Sequence, residues 1–530
     1  MGETVTIVPR VEMMFGSDWV DVSDDVVSQV EAAWGIHGAN PKQRIADPGT
    51  MRFQLDNSNQ NSGGLRGYYT PGHPDARVGF DVKTPVRFVL HNDLLGDKVR
   101  WVGTVEAAKP GTGVKDQTVD VSCVDWLEEA ARSKLSGLDV QVDIQSDVLF
   151  ELLVAAADTP PPGGTLVGTG SDVYEYALDN VQDEKTTLIE ALNKLLLSEF
   201  GLCYVSAGVA VFEGRRLRSG GGSIRLVLDE DDNIIALATV NGRDEVINHV
   251  LVSVHPRRVD PTYTVLFNLG SSLEIVRGTE ITISCPYRDQ NQQAQRVGGL
   301  DMQDPDAGEG DYTFNAAEDG SGKDLTEQLT VTAVFGGNSA AVTIANNGPN
   351  DGFVPPNGIK LRGIGLYDFE PVIADRSDSG SITAYGECPL GYDMPYQSDP
   401  SNAGDLALFI LALNKTASVR AQKVTFVANW SDTEAEQAFH LEVSDRVSVT
   451  SAPSGLAAEP YFVNGLRLVA HLSGLVTVQL DLAPTDTAEY WQLEVDGRTE
   501  LDETTVLGYG LFTAGWILDS SELGSGTFLN

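Results

Sequence analysis

The stretch ADPGTMRFQLDNSNQNSGGLRGYYTPGHPDARVGFDVKTPVRFVL, residues 46–90, decides the fold class of this chain. In its first strand Met51, Phe53 and Leu55 alternate with polar residues, and residues 86–90 repeat that alternation. A period of two residues is the pattern of a strand with one buried face. A long polar loop rich in Asn, Gly and Tyr separates the two strands. The stretch therefore predicts a β-sheet with an unusually long connection.

The alternation continues on both sides of this stretch, throughout residues 1–125. It recurs at Val99 and Trp101, and again at Val119 and Val121. Several short strands within about a hundred residues are typical of a small barrel or sandwich.

Helical periodicity replaces the alternation in residues 126–223. Thr187 and Glu190 begin the clearest helix with a capping box, and Gly201 ends it. A hairpin that turns near Gly208 follows this helix. We expect these residues to form an α+β domain.

The rest of the chain returns to strand-like patterns, so the fold class is mainly β with α+β inserts. Four further segments follow: connecting strands at 224–261, an inserted β-sandwich at 262–362, strands with one helix at 363–500, and an apolar, Gly-rich tail at 501–530. Strands at both ends of the chain, with other units between them, indicate that the first and last segments belong to one structural layer.

Charge is the unusual property of the composition. The chain has 36 Lys and Arg against 76 Asp and Glu, a formal net charge of −40. Such a surface repels nucleic acid and anionic membranes, and it also suits a saline environment. No segment reaches the roughly 20 apolar residues of a membrane helix, and no signal peptide is evident. We expect a soluble protein made in the cytoplasm, with no membrane segment.

The sequence contains no recognisable catalytic or cofactor motif. Its seven histidines form no HExxH pair, and its four cysteines form no CxxC pair, so we expect buried free thiols. Asp304, Asp306 and Asp311 are spaced loosely like a calcium loop, but a solvated acidic loop is the favoured interpretation. We therefore predict no enzyme, no cofactor and no metal.

The aromatic residues of the long loop suggest an interface. Tyr68, Tyr69 and Phe80 stand among Asn and Gly residues, a composition typical of protein contacts. No basic stripe accompanies them, which disfavours nucleic-acid binding. The alternative is a loop that covers its own sheet.

Five motifs in series resemble the baseplate hub, or tail-tip, proteins of long-tailed bacteriophages. They are DPGTMRFQLDNSN with GYYTPGHPDARVGFDVKTPVRFVL, WVGTVE, TLIEALNKLLLSEFGLCYVSAGVAVFEGRRLR, SITAYGECPLGYDMPYQ, and YFVNGLRLVAHLSGLVTVQLDLAP with LGYG. The loop after LDN is longer here than the family's usual loop and lacks its basic residues.

The resemblance implies a structural role at the tail tip of a virion. A hub of this family is a trimer whose residues 1–125 and 363–500 would form two tube-like β-barrels per chain. Three chains would then offer six barrels to the sixfold tail tube. The implied partners are a distal tail or tail-tube ring and tail fibre or central tip proteins, with DNA passing through the channel without specific binding.

The same resemblance gives the candidate interface residues. They are Leu65, Tyr68, Tyr69, Phe80, Tyr396, Tyr509, Phe512 and Trp516, the last three in a C-terminal interface arm. Shortening the loop at 56–80 to a two-residue turn is expected to leave the fold intact and to weaken assembly. The alternatives are another tail component, such as a distal tail protein, and a secreted carbohydrate-binding or hydrolytic β-protein.

Overall fold

The computed structural model describes residues 5–485, apart from 39, 112, 114, 115, 183, 220–222, 293, 294 and 369, and also residues 489, 490, 505 and 506. Within these residues the protein is mainly β, as predicted, with six α-helices among its strands. None of these helices has the length and apolar character needed to cross a bilayer.

The first seven strands follow the predicted alternation. They are β1 (Val8–Phe15), β2 (Asp18–Asp21), β3 (Val30–Gly35), β4 (Thr50–Asp56), β5 (Pro85–Asn92), β6 (Gly96–Pro110) and β7 (Thr118–Val124). In β4 the side chains of Met51, Phe53 and Leu55 are buried, and Arg52 is exposed. All neighbours are antiparallel, in the order β3-β4-β7-β6-β5-β1-β2.

An α+β region packs against this sheet. It comprises α1 (Trp126–Arg132), β8 (Gln141–Gln145), α2 (Ser146–Ala155), β9 (Thr165–Val167), β10 (Val173–Ala177), α3 (Leu188–Glu199), β11 (Leu202–Ser206) and β12 (Val209–Glu213). The predicted capping box of α3 is confirmed: the Thr187 hydroxyl accepts from Glu190 N, and the Glu190 carboxylate accepts from Thr187 N. The helix ends at Glu199, and the left-handed residue that stops it is Phe200, with a φ of 57°, one position before the predicted Gly201.

The chain then contributes four strands to three different sheets. They are β13 (Ile224–Asp229), β14 (Ile234–Val240), β15 (His249–Val254) and β16 (Arg257–Val259). The predicted connecting segment 224–261 thus does more than connect, because β13 and β14 belong to the largest sheet of the molecule.

The region from 262 to 362 has its own hydrophobic core. Its strands are β17 (Thr264–Asn268), β18 (Leu273–Ile275), β19 (Glu280–Pro286), β20 (Gly298–Leu300), β21 (Leu329–Phe335), β22 (Ser339–Asn346), β23 (Gly352–Val354) and β24 (Lys360–Asp368). Strands β21 and β22 form an antiparallel hairpin. Tyr287, Phe314, Val342 and Ile359 are fully buried in this core.

A separate layer follows, built around β15. Its elements are β25 (Val372–Ser377), α4 (Ser379–Tyr385), β26 (Pro389–Met394) and α5 (Pro400–Asn414). Strand β15 lies between antiparallel β25 and parallel β26, and α5 buries Leu406 and Ile410 in the same core as Val250 and Val252. These elements lie outside the largest sheet, although the segment 363–500 was predicted to form one barrel.

The C-terminal strands enter the largest sheet only from Arg420 onward. They are β27 (Arg420–Val427), β28 (Arg446–Ser451), β29 (Leu456–Ala470) and β30 (Val476–Pro484), with α6 (Asp432–His440) between the first two. The strand order is β14-β27-β30-β29, and β29 also pairs with β28, which pairs in parallel with β13. Two short strands, β31 (Glu489–Tyr490) and β32 (Thr505–Val506), pair in parallel further on.

The long strand β29 joins the two ends of the chain. Its C-terminal half pairs with β3, which unites thirteen strands in one sheet and confirms that the first and last segments share a layer. Arg100 of β6 is buried across this junction and donates to Glu442 at 2.6 Å and to the Leu441 carbonyl at 2.6 Å.

The four cysteines are free thiols, as predicted. Cys123, Cys203 and Cys285 are buried, and Cys388 is partly exposed. Burial raises the pKa of the Cys285 thiol to about 12, so this group stays protonated at neutral pH.

Candidate assembly interface

The long loop between β4 and β5 folds around one buried carboxylate. Asp25 accepts hydrogen bonds from Ser62 N at 2.7 Å, Ser62 Oγ at 2.5 Å and Tyr69 Oη at 2.5 Å. Burial raises the pKa of the Tyr69 phenol well above its usual value, so the phenol remains a donor. Asn57 fixes the loop from its other side, because its Oδ1 accepts from Tyr69 N at 2.9 Å.

The structure divides the predicted interface residues of this loop into two groups. Tyr69 and Phe80 are buried in the main core, where their rings meet edge to face at 5.3 Å. Tyr68 is partly buried and Leu65 is exposed. Tyr69 and Phe80 therefore support the loop from inside, so a loop cut to a two-residue turn would remove both rings from the main core. The effect of that cut on the fold and on assembly stays a prediction.

The remaining predicted interface residues lie elsewhere. Tyr396 is buried, its backbone N donates to Ser198 Oγ at 2.8 Å, and its ring lies 5.9 Å from that of Tyr174. It is thus a core residue between the β15 layer and the α+β region. Tyr509, Phe512 and Trp516 fall outside the described residues, so their interface role stays a prediction.

Apolar side chains remain exposed where the loop returns to the sheet. Val78 is 92% exposed and Val82 is 53% exposed, and both flank the buried Phe80. The guanidinium of Arg77 stacks on Phe15 at 4.0 Å, which holds this part of the loop against the β1–β2 turn. The loop thus presents a small apolar rim on a rigid base.

The strongest candidate contact surface is the edge strand β14. Its sequence, IIALATV, has seven residues and no charge. Strand β14 pairs with β27 on one side, and within the described residues no strand covers its other side. Ile235 is 58% exposed. An uncharged, apolar edge strand is a template for pairing with another chain, and proteins usually block such edges with charge or proline.

The acidic loop with calcium-like spacing, which contains Asp304, Asp306 and Asp311, is held by an arginine. Both carboxylate oxygens of Asp311 accept from Arg362, at 2.6 and 2.8 Å. Asp306 caps its own turn by accepting from Gly308 N at 2.7 Å. No group of three metal-ligating side chains occurs in the part of the chain that the structure describes.

A second buried carboxylate, Glu199, belongs to the α+β region. It accepts from Ser146 Oγ at 2.8 Å, Ser171 N at 2.9 Å and Asp172 N at 3.1 Å. Burial raises its pKa, and Arg215 opposes that shift while forming a bidentate pair with Asp172. Because hydrogen bonds within the fold occupy both carboxylate oxygens, the network positions the ends of α2 and α3.

Comparison with known proteins gives matches at the level of structure. No family profile and no curated protein matches the chain. The 43 kDa tail protein of prophage MuSo2 from Shewanella oneidensis is 10% identical, with a TM-score of 0.49 over 90% of this chain and 98% of its own. The tail protein from Neisseria meningitidis MC58 is 9% identical, with a TM-score of 0.45 over 90% and 96%.

A third solved structure is prophage tail protein gp18 from Listeria monocytogenes EGD-e. It is 9% identical, with a TM-score of 0.40 over 89% of this chain and 94% of its own. The chain is similar to prophage tail proteins. Tail proteins are also the class that the five sequence motifs resemble.

Sequence reasoning missed β14 as a candidate contact surface. Its signal is present in the printed sequence, because IIALATV is a run of strand-forming residues directly after the acidic turn 229–233. Pairing partners of β13 and β14 lie about two hundred residues away, and local patterns carry no information about such pairings.

Proposed function

We propose that this protein is a structural component of a bacteriophage tail tip, where three copies form the hub that ends the tail tube. It has no catalytic role in this proposal. The single observation that carries the proposal is the thirteen-stranded sheet, whose N-terminal and C-terminal halves we interpret as two tube-like units. The proposed trimer would therefore contain six such halves.

Backbone hydrogen bonds support the curling of the N-terminal half. Val22 N donates to the Val11 carbonyl at 2.9 Å, and Val27 N donates to the Gln54 carbonyl at 2.9 Å. Residues 22–27 thus run from β1 to β4 and bridge the gap between these two strands, which have three other strands between them in the sheet. A sheet that returns on itself in this way has the hydrogen-bonding arrangement of a small barrel.

Chain connectivity supports the curling of the C-terminal half. Strands β13 and β14 are the first and last members of the row β13-β28-β29-β30-β27-β14, yet a tight turn joins them. Within that turn the Asn233 side chain donates to the Val227 carbonyl at 3.0 Å and to Glu434 at 2.8 Å. The ends of β13 and β14 at this turn are therefore held close together beside α6, although within the described residues no ladder joins the two strands.

Symmetry connects these two halves to a tail. Two barrel-like halves in each of three chains give six similar units around one axis, which matches a sixfold ring. A threefold ring needs a head-to-tail contact, so β14 of one copy meets a different surface of the next. The net charge of −40 keeps phosphate from binding, which allows DNA to pass through a central channel.

The proposed surroundings follow from that position. The hub would contact a distal tail or tail-tube ring through one end of its barrels, and fibre or central tip proteins through the other. The apolar rim at Val78 and Val82 and the exposed Leu65 are the surfaces we assign to the ring contact. The localisation would be the tail tip of the virion.

Mass photometry with negative-stain imaging of the full chain, at low and at molar salt, tests the hub. We expect the wild type to form threefold rings at molar salt, because salt screens the repulsion between acidic subunits. Ile235→Lys places a charge on the β14 edge and is expected to give monomers. Val334→Lys is the matched control, because Val334 is 52% exposed on the edge strand β21 of a different sheet. Equal assembly of both variants would reject β14 as the contact.

A further inference from the structure

A groove opens where the end of β30 meets α5 and the segment between β3 and β4. Its narrow end has a volume of about 100 Å³, and its wider part has a volume of about 550 Å³. Asn40, Pro41, Asn414 and Pro484 line both parts, so the two spaces adjoin each other. Phe200, Phe409 and Phe462 form apolar walls at the narrow end.

Five arginines line this groove: Arg44, Arg215 and Arg218 at the narrow end, and Arg243 and Arg420 in the wider part. Arg215 forms an ion pair with Asp172. Within the described residues, none of the other four has a carboxylate oxygen within ion-pair distance. This concentration of unpaired positive charge is unusual in a chain with 36 basic and 76 acidic residues.

Neutral groups hold the arginines in place. Arg44 lies 3.8 Å over the Phe200 ring and donates through Nε to the Pro41 carbonyl at 2.8 Å. Arg218 donates to Asn464 at 2.6 Å. Burial lowers the pKa of Arg44 to about 10, so its guanidinium is still charged at neutral pH, and a carboxylate ligand would offset its desolvation.

The acidic residues of the groove offset this charge only in part, through the attraction of Glu213 to Arg218 and of Glu245 to Arg420. Glu213 at the narrow end already accepts from Tyr204 Oη at 2.8 Å and from Ser444 Oγ. Asp244 and Glu245 stand exposed in the wider part. The narrow end therefore combines aromatic walls with positive charge, which suits a segment that carries both apolar residues and carboxylates.

We propose that this groove binds residues 507–530 of the same chain. That segment, LGYGLFTAGWILDSSELGSGTFLN, carries two carboxylates, Asp519 and Glu522, and no Lys or Arg. It also carries the aromatic residues Tyr509, Phe512 and Trp516, which match the apolar walls. The segment thus has both chemical features that the groove selects.

The chain path brings the segment to the groove. Pro484 is part of the groove lining, and Tyr490 follows it by six residues, a reach of at most about 20 Å. Val506 pairs directly with Tyr490 in the parallel ladder of β31 and β32. Residues 507–530 therefore follow a strand that lies within reach of the groove lining, although they start more than twenty residues after Pro484 in sequence. The proposal is independent of the proposed tail function.

Hydrogen exchange of the full chain, followed by mass spectrometry, tests the binding of the segment. In the wild type we expect amides of residues 507–530 to exchange at least tenfold more slowly than in an unstructured peptide. Arg44→Glu reverses the charge at the narrow end and is expected to remove that protection. Arg66→Glu is the control, because Arg66 is exposed and lies on the long loop.

A second variant tests the segment itself and leaves the groove unchanged. Asp519→Asn combined with Glu522→Gln is expected to reduce the protection at least fivefold. Unprotected amides in the wild type, or protection in the Arg44 and segment variants that equals that of the wild type, would overturn the proposal. Protection that disappears on dilution would assign the segment to a neighbouring copy and overturn the same-chain form.

Discussion

Tyr69 determines what the long loop contributes to stability. Its phenol is one of three donors to the buried Asp25, and its ring packs in the main core. Tyr69→Phe keeps the ring and removes the donor, so one acceptor site of a buried carboxylate is left unfilled. We expect the free energy of unfolding to fall by about 2 kcal/mol.

Urea unfolding of the full chain measures this change. Tyr68→Phe is the matched control, because Tyr68 is partly buried and its hydroxyl forms no hydrogen bond with the residues that the structure describes. An equal effect of the two variants would show that the Asp25 contact contributes nothing specific.

His255 introduces a pH dependence at the end of β15. Its ring nitrogens face Asp368 at 3.3 Å and Asp393 at 2.7 Å, and these hydrogen bonds raise its pKa to about 9. A raised pKa in the folded state means that the stabilisation is complete below about pH 6.5 and is lost as the pH rises through about 9. The amount is on the order of 2 kcal/mol.

The difference between wild type and His255→Gln isolates this effect from other titrations. Urea midpoints at pH 6, 8 and 10 are expected to differ most at pH 6 and to converge at pH 10. A difference that is constant over this range would contradict the titration of His255.

At the scale of elements, the start of α3 is the clearest local signal that the structure confirms. Thr187 and Glu190 satisfy each other's backbone donors, and both residues are read directly from the sequence. Thr187→Ala removes one half of this capping box, and we expect a loss of about 1 kcal/mol in the free energy of unfolding. Thr187→Ser retains the hydroxyl oxygen and should recover most of the lost free energy of unfolding. Thermal melts of both variants and the wild type measure the difference.

Elements with local signals were predictable, and those with distant partners were not. The hairpin turn at Ala207 and Gly208 could be predicted because a glycine stands between two strand-like runs. In the structure both residues adopt left-handed conformations, with φ of 47° and 86°. The pairing of β14 with β27 leaves no local trace, because the strands are separated by the inserted regions. The burial of Tyr396 was missed for the same reason: its partner Tyr174 is far away in sequence.

At the scale of the whole molecule, the pairing of β3 with β29 holds the two halves of the sheet together. Gly35 faces Gly465 there with a φ of 94°, and a Cβ on Gly35 would lie 2.6 Å from the Asn464 carbonyl oxygen. That oxygen is backbone and cannot move aside, because it also accepts from Ile36 N at 2.8 Å. The junction therefore requires glycine at this position.

Gly35→Ala is expected to lower the free energy of unfolding by at least about 3 kcal/mol, because backbone strain and a backbone clash add. Gly16→Ala separates the two causes, since Gly16 has a φ of 67° with no heavy atom within 4 Å of its Cβ position, and should cost only about 1 kcal/mol. Urea midpoints give both values. Hydrogen exchange in β3 and β29 should accelerate in Gly35→Ala and stay unchanged in Gly16→Ala; similar effects of the two substitutions would mean that the close approach does not hold the halves together.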